Sequence, residues 1–216
     1  MAKLTDLGFK KGVCCETIVS TYNPDGTPNA APMGLKLLDE KHLSMSIFNT
    51  SSTCRNLKEK KCAIVNLTSE IEVFYKSTFK EANHEGKVPA EWFVKADAVE
   101  APKLRFADAT VEVSIAHLEP DGKERTQFSC KVELLTTAEQ YPQVYCRAMP
   151  LTLEAITHAT RVKAFINIPE RQKEAAKLIE TIQNYAHVVE RVAPNSEYTI
   201  VFEDLLHRID SWRVKP

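Results

Sequence analysis

The residues best suited to hold a ligand lie in one stretch, Ser46–Asn56, whose polar run begins at Asn49 after the end of an apolar segment. The polar run contains four hydroxyl side chains and one arginine: Thr50, Ser51, Ser52, Thr53 and Arg55. Backbone N–H groups at a helix N-terminus point outward with partial positive charge, and arginine adds a permanently charged fork. The run therefore predicts a phosphate site, although an ordinary N-cap by Ser51, Ser52 or Thr53 would also explain its hydroxyls.

Two predicted strands flank this run and would fix its position. His42–Phe48 alternates, with Leu43, Met45 and Ile47 on one face, and Cys62–Leu67 is a second short apolar segment. The residues between the polar run and Cys62 suit a short helix with basic side chains. The polar run is thus predicted to turn the chain from a strand into an α-helix.

Two β-hairpins are predicted from Pro-Asp-Gly turns. The first joins Gly12–Tyr22 to Asn29–Leu38 through Asn23–Gly26. The second joins Ala107–Leu118, through Glu119–Gly122, to a return strand that alternates at Phe128, Cys130, Val132 and Leu134. Antiparallel strands at this spacing indicate a closed or nearly closed barrel.

The character of the chain changes after residue 135. Leu151–Ala164 and Glu170–Val192 have helical periodicity, and Ser196 is placed to cap a last helix that carries Val201 and Leu205 on one face. We therefore expect an α+β protein with a barrel domain at 1–135 and a helical C-terminal subdomain at 136–216.

The order of strand, polar turn, arginine-bearing helix and strand resembles the phosphate-binding segment of FMN-binding split barrels, which include pyridoxamine-phosphate oxidases and flavin reductases. Asn29–Lys36 resembles their strand beside the flavin ring, and Ala101–Leu104 with Ala107–Val113 is similar to the lead-in to a later barrel strand. Arg147 and the stretch from Glu154 to Arg161 echo a mostly archaeal family, domain of unknown function 447. The fold implied is an antiparallel split β-barrel with a helical C-terminal part.

The resemblance implies non-covalent FMN and a homodimer with the flavin near the subunit interface. Carried over by position, the ring-side residues are Pro32, Met33, Gly34 and Lys36. The implied phosphate residues are Asn49, Thr50, Ser52, Thr53, Arg55 and Asn56. His158 and Arg161 follow Glu154 at helical spacing and would face the flavin or the dimer mate, whereas a solvated helix face explains the same spacing.

Three functional hypotheses follow. The first is an FMN-dependent oxidoreductase or flavin reductase-like protein that exchanges electrons with a nicotinamide or flavin redox partner. The second is a non-enzymatic FMN carrier or sensor. The third is a barrel that binds another phosphorylated ligand, such as pyridoxal phosphate, or that binds no cofactor. No catalytic residue is assigned, because the sequence has no G-x-S-x-G elbow and no G-x-G-x-x-G run.

Composition and residue spacing argue against nucleic-acid, membrane and metal binding. A net charge of -1, from 28 basic and 29 acidic residues, gives no electrostatic footprint for nucleic acid or an anionic membrane. The six cysteines form no C-x-x-C pair and the histidines show no ligand spacing, so no metal site is expected. The first residues lack the layout of a secretory signal, and we expect a cytoplasmic protein.

Overall fold

A computed structural model describes residues 2–139 and 146–213. The chain divides into two compact units. One comprises Met1–Ser69 and Lys76–Tyr141, and the other comprises Glu70–Tyr75 and Pro142–Pro216.

The first unit contains eight strands and one complete α-helix within its described residues. The strands are β1 (Cys14–Tyr22), β2 (Pro28–Asp39), β3 (His42–Phe48), β4 (Cys62–Leu67), β5 (Phe93–Lys95), β6 (Pro102–Leu104), β7 (Ala109–Asp121) and β8 (Arg125–Thr137); the helix is α1 (Ser52–Lys60). Six strands close an antiparallel barrel in the order β1-β2-β3-β8-β7-β4, and β5 pairs with β6 in a separate two-stranded sheet. The predicted α+β fold, an antiparallel barrel with helices C-terminal to it, is confirmed.

The barrel interior is filled by one face of each strand. Leu35, Leu43, Met45, Ile47 and Phe128 belong to a single buried cluster, as the period of two along a strand requires. The alternate residues of β2, β3 and β8 therefore lie on the outer face of the barrel. That outer face carries the candidate site.

The second predicted hairpin differs from the structure in the position of its turn. The expected turn at Glu119–Gly122 is wrong, because β7 pairs with β8 as far as Asp121 and Arg125. Gly122 then takes a left-handed backbone with φ 70°, which glycine adopts without steric cost. In the predicted lead-in, Ala101–Leu104, residues Pro102–Leu104 form β6, which pairs with Phe93–Lys95 outside the barrel and comes before the barrel strand β7.

The second unit is helical in its described residues. Its main helices are α3 (Ala148–Phe165), α4 (Gln172–Val192) and α5 (Glu197–Ser211); α2 (Ile71–Thr78) begins in the same unit. Ser196 caps α5 in a reciprocal arrangement with Thr199, as its position before the helix predicts. Across residues 2–139 and 146–213, no helix has the length and apolar character needed to span a membrane.

Candidate functional site

The candidate site lies where β2 separates from β3. The pairing of β2 with β1 runs from Cys14 opposite Lys36 to Tyr22 opposite Pro28, along nearly all of β2. Its pairing with β3 begins only at Leu35, which lies opposite Met45. Within the described chain, the earlier part of β2 thus has backbone groups on its β3 side that no strand occupies.

A groove of about 470 Å³ occupies this region of the barrel. It is lined by residues from β1, β2, β3, α1's N-cap, β7 and β8: Cys14, Pro32, Met33, Gly34, Lys36, Ser44, Met45, Ser46, Ile47, Phe48, Ser51, Asp121, Arg125 and Gln127. The volume lies in the range of roughly 300–1,000 Å³ that is usual for small-molecule sites.

Small residues on the outer face create the depression. Gly34, Ser44 and Ser46 project little, whereas the larger side chains of Lys36, Phe48 and other lining residues bound it. A Cβ atom at Gly34 would lie 2.6 Å from the Cys14 Sγ, closer than van der Waals contact permits. Glycine at position 34 therefore lets a neighbouring side chain, and any ligand, approach the backbone of β2.

All four predicted ring-side residues line this one groove. Pro32, Met33 and Gly34 come from the part of β2 that lacks β3 as a partner, and Lys36 follows on the same outer face as Gly34. Pro32 has no N–H, so the donors available from this stretch belong to its neighbours. The Met33 carbonyl already accepts the Thr17 hydroxyl at 3.1 Å.

The N-terminus of α1 reaches the same groove through Ser51. Ser51 is the N-cap, and its Oγ accepts the Cys54 N–H at 3.1 Å while donating to the Phe48 carbonyl at 2.9 Å. The helix geometry leaves the N–H groups of Ser52 and Thr53 without acceptors inside the helix. Ser51 is therefore an N-cap, as predicted, and the anion site at this helix end stays a prediction.

Two of the predicted phosphate residues, Thr53 and Asn56, have buried side chains. The Asn29 amide donates to both Thr53 Oγ1 and Thr21 Oγ1, each at 3.1 Å. Asn56 Nδ2 donates to Thr21 at 3.0 Å and to the Asn23 side chain at 3.1 Å. These hydrogen bonds hold α1 against the β1–β2 hairpin, so Thr53 and Asn56 are engaged within the protein.

A half-buried lysine completes this network. The Lys80 Nζ donates to the Asn29 Oδ1 at 2.5 Å. Burial lowers the pKa of the Lys80 ammonium, because desolvation penalises the charged form. The hydrogen bonds from Lys80 to Asn29 and from Asn29 to Thr53 therefore fix the first turn of α1 on its buried side.

Asn49, a third predicted phosphate residue, is also engaged within the protein. Its Oδ1 accepts the Thr126 hydroxyl at 2.6 Å and the Lys58 ammonium at 3.3 Å. Its backbone N–H donates to the Glu124 carbonyl at 2.8 Å. Asn49 thereby ties the start of α1 to the turn between β7 and β8.

The remaining three predicted phosphate residues, Thr50, Ser52 and Arg55, differ in having side chains without a protein partner among the described residues. Thr50 and Arg55 are exposed and Ser52 is half-buried. In the described part of the chain, none of the three side chains has a hydrogen-bond or ion-pair partner. Thr50, Ser52 and Arg55 are therefore the members of the predicted set that are free to meet an anion.

Arg125 is a lining residue that the sequence analysis did not identify. It lies opposite Phe48 in the β3–β8 ladder, and its guanidinium stacks 4.1 Å from the centre of the Phe48 ring. The residue is far from the polar run in sequence, and no motif surrounds it. Only the register of the barrel brings it beside Ser46 and Ser51.

His158 and Arg161 lie on α3 in the second unit. The His158 ring stacks on Tyr185 with centroids 6.1 Å apart, and its Nδ1 is buried without a hydrogen-bond partner in the described residues. Arg161 is exposed. Both remain predictions from the family resemblance. The residues that the structure describes contain no group of three or more His, Cys, Asp or Glu side chains arranged to hold a metal ion.

Solved structures of known proteins have a fold similar to that of this chain. The FMN-bound protein MM1853 from Methanosarcina mazei, whose crystal structure is described under the family DUF447, is 23% identical with a TM-score of 0.77 and covers 95% of this chain and 99% of that chain. Nitrilotriacetate monooxygenase component B from Bacillus cereus is 18% identical, with 68% and 81% covered and a TM-score of 0.49. The styrene monooxygenase flavin reductase from Pseudomonas putida S12 is 19% identical, with 57% and 81% covered and a TM-score of 0.47.

No curated protein matches the chain. A family does: the protein of unknown function (DUF447) N-terminal domain matches residues 15–137, which is more than half of the 216 residues. That segment contains the whole barrel and every residue that lines the groove, apart from Cys14 at its edge. The chain belongs to the DUF447 family.

Proposed function

We propose that this protein binds FMN in the groove between β2 and β3, with the flavin ring over β2 and the phosphate at the N-terminus of α1. The observation that carries the proposal is that one groove joins Pro32, Met33, Gly34 and Lys36 to the Ser51 N-cap. Ring-side and phosphate-side residues were predicted from separate stretches of sequence. The four ring-side residues line the groove, whereas none of the six predicted phosphate residues does. Ser51, the residue directly before Ser52 and Thr53, brings the N-terminus of α1 to the same cavity, as a ligand with a ring at one end and a phosphate at the other requires.

The ring end of the groove suits a flat heterocycle with polar edges. The small outer-face residues allow the ring to approach β2, where backbone groups face away from β1 without a partner strand. Backbone N–H and C=O groups are the partners that the nitrogens and carbonyls of an isoalloxazine edge need. Pro32 and Met33, both half-buried, add apolar surface for the ring itself.

The phosphate end combines backbone and side-chain donors. The N–H groups of Ser52 and Thr53 have no acceptor within the helix, and the helix dipole favours an anion there. Ser52 and Arg55 lie beside them, and among the described residues their side chains have no hydrogen-bond or ion-pair partner. The network through Asn29, Thr53 and Asn56 holds this end of the helix in place before a ligand arrives.

The similarity in fold to MM1853 supports the choice of flavin, because that protein is described as FMN-bound. Bound flavin would supply redox chemistry, with electrons exchanged between a reduced nicotinamide or another flavin and an acceptor. The role of this chain would be to bind and orient the ring and to hydrogen-bond its edge. We propose an oxidoreductase of flavin reductase-like type, with its substrate unassigned.

The proposal includes several broader assignments made from the sequence. The flavin-binding barrel would comprise residues 1–135 and the helical subdomain residues 136–216. The protein would act in the cytoplasm as a homodimer with the flavin near the subunit interface. A carrier or sensor without turnover would give no rate of NADH or NADPH oxidation above that of free FMN.

The test is a binding titration of the purified protein with FMN and with riboflavin, followed by visible absorption and flavin fluorescence. Wild-type protein should bind FMN and give a perturbed flavin spectrum. Arg55→Ala should weaken FMN by roughly 10-fold or more while changing riboflavin little, because only FMN offers a phosphate to the guanidinium.

A matched control is Arg105→Ala, which removes an exposed arginine outside the groove lining. It should leave both ligands unchanged. A colourless protein that failed to take up added FMN would defeat the central proposal. Equal losses for FMN and riboflavin in Arg55→Ala would instead mean that Arg55 acts through folding.

A further inference from the structure

Arg125 is held rigidly at the edge of the groove before any ligand is bound. Its Nε donates to the Ser46 Oγ at 2.8 Å and its Nη2 donates to the Ser46 carbonyl at 2.5 Å. The Phe48 ring lies 4.1 Å from the guanidinium carbon and fixes the plane of the group. The half-buried side chain thus has a single defined orientation.

The guanidinium retains unused donors in that orientation. An arginine fork has five N–H bonds, and the two contacts to Ser46 use two of them. In the described residues, no other acceptor and no carboxylate within ion-pair distance engages Arg125. Because Arg125 lines the groove together with Ser51, the remaining donors are available to a ligand there.

The Asp121 carboxylate is linked to Arg125 through Ser46. The Ser46 hydroxyl donates to the Asp121 Oδ2 at 2.5 Å while accepting from Arg125. Asp121 is exposed, and the groove lining places Lys36 and Arg125 with it. A second carboxylate lies beside the groove, because the Glu16 Oε1 is 3.6 Å from the position that a Cβ on Gly34 would take. The preference for an anion therefore rests on the preoriented Arg125 fork and not on the net charge of the groove.

We propose that Arg125 binds a phosphate group of the ligand in this groove and selects phosphorylated ligands over their unphosphorylated forms. The identity of that ligand as a flavin rests on the proposed function. A phosphate ester is the shared chemistry of two sources, the flavin's own phosphate and the phosphate of a dinucleotide or nucleotide bound beside the flavin. A preoriented fork is the side chain best matched to such a group.

The principal test compares Arg125→Gln with wild type for FMN and riboflavin. Loss of the fork should weaken FMN by roughly 10- to 100-fold and riboflavin less than about 2-fold, since one charge-assisted contact is removed. Lys123→Gln is the matched control. It removes one positive charge from the same turn, lies outside the groove lining and should leave both affinities unchanged.

Asp121→Asn tests the contact between Arg125 and the phosphate by a change that should strengthen it. It removes the negative charge near Arg125 yet keeps an oxygen that can accept from Ser46. FMN binding should tighten by about 2- to 5-fold at low salt and riboflavin binding should not change, because a screened exposed charge has a small effect. This variant keeps the proposal testable even if Arg125→Gln folds poorly.

A second arm separates the two sources of phosphate. ADP is titrated by calorimetry into wild type and Arg125→Gln, each with and without saturating FMN. Weaker FMN alone assigns Arg125 to the flavin phosphate, and weaker ADP with unchanged FMN assigns it to a second ligand. Unchanged affinities for both, or equal losses for FMN and riboflavin, would overturn the Arg125 proposal. Wild-type protein that binds ADP through Arg125 but no flavin would instead overturn the proposed function.

Discussion

At the scale of single residues, Gly34 and Cys14 form a contact that can be tested by substitution. A Cβ at position 34 would lie 2.6 Å from the Cys14 Sγ, so Gly34→Ala forces the thiol to move within the groove. Crowding of this kind costs about 1–2 kcal/mol, and we expect FMN binding to weaken by roughly 5- to 30-fold. Fluorescence titration measures the change.

The control for Gly34→Ala is the double variant with Cys14→Ala, which removes the sulfur that the new methyl group meets. In a double-mutant cycle the two changes should couple, so that Gly34→Ala costs markedly less in the Cys14→Ala background. Additive effects would show that Gly34 matters for another reason, such as direct contact with the ring.

The sequence predicted some groove residues and misjudged the surroundings of others for definable reasons. Pro32, Gly34 and Lys36 alternate along one strand, so a groove on its outer face brings them together, and Met33 lies between them in sequence. Thr53 and Asn56 face the barrel because a short helix packed on it buries one side. Their hydrogen-bond partners lie on the β1–β2 hairpin, and the sequence does not reveal which polar side chains of α1 find such partners. Arg125 carries no local signal, since its place depends on pairing with Phe48 far away in sequence.

At the scale of elements, Glu112 fixes the segment between β5 and β6 to the barrel. Its carboxylate is fully buried and accepts the N–H groups of Asp97, Ala98 and Val99 at 3.0, 2.6 and 3.1 Å, with the Lys103 Nζ at 3.9 Å. Glu112→Gln replaces one acceptor oxygen by a donor that faces these N–H groups. We expect a loss of about 3 kcal/mol in the free energy of unfolding, measured by urea denaturation.

Glu133→Gln provides the comparison for Glu112→Gln. Glu133 is a strand glutamate of the same barrel that accepts from Ser114 and Lys131 at the surface. Because water can replace those contacts, the Glu133→Gln variant should have a free energy of unfolding close to that of wild type. Equal destabilisation by the two substitutions would show that the buried donors around Glu112 are not its essential partners.

The elements themselves were predictable where the pattern is local. The bounds of β3 and β4 match the predicted His42–Phe48 and Cys62–Leu67, because alternation and flanking polar residues define each strand. β7 continues past the predicted turn because its backbone pairing with β8 continues to Asp121, and Pro120 does not interrupt it. The three-residue strands β5 and β6 are too short for periodicity to reveal.

At the scale of the whole molecule, hairpins were predictable and barrel closure was not. Closure requires β3 to pair with β8 and β1 to pair with β4, and both pairs join strands that are distant in sequence. Their registers follow from packing of the interior face and not from turn residues. The groove depends on this closure. β3 pairs with β8 along its length and β2 pairs with β1, so β2 and β3 part from each other at Gly34.

The proposed homodimer makes a prediction for the assembled molecule. Val13, Leu38 and Phe48 expose 48%, 43% and 51% of their surface at the ends of the strands that form the groove. Apolar side chains exposed beside a binding groove suit an interface, and a lysine placed there would be left unpaired. Val13→Lys with Leu38→Lys should raise the dimer dissociation constant by roughly 100-fold or more, as measured by sedimentation equilibrium.

Val94→Lys is the matched control for the dimer variant, because Val94 is 38% exposed on β5, in the separate two-stranded sheet. It should leave the dimer intact. If the flavin lies near the interface, the monomeric double-lysine variant should also bind FMN more weakly, since part of the site's enclosure is lost. A wild-type monomer at the concentrations of the binding titrations would contradict the dimer. An intact FMN affinity in a monomeric variant would place the flavin away from the interface.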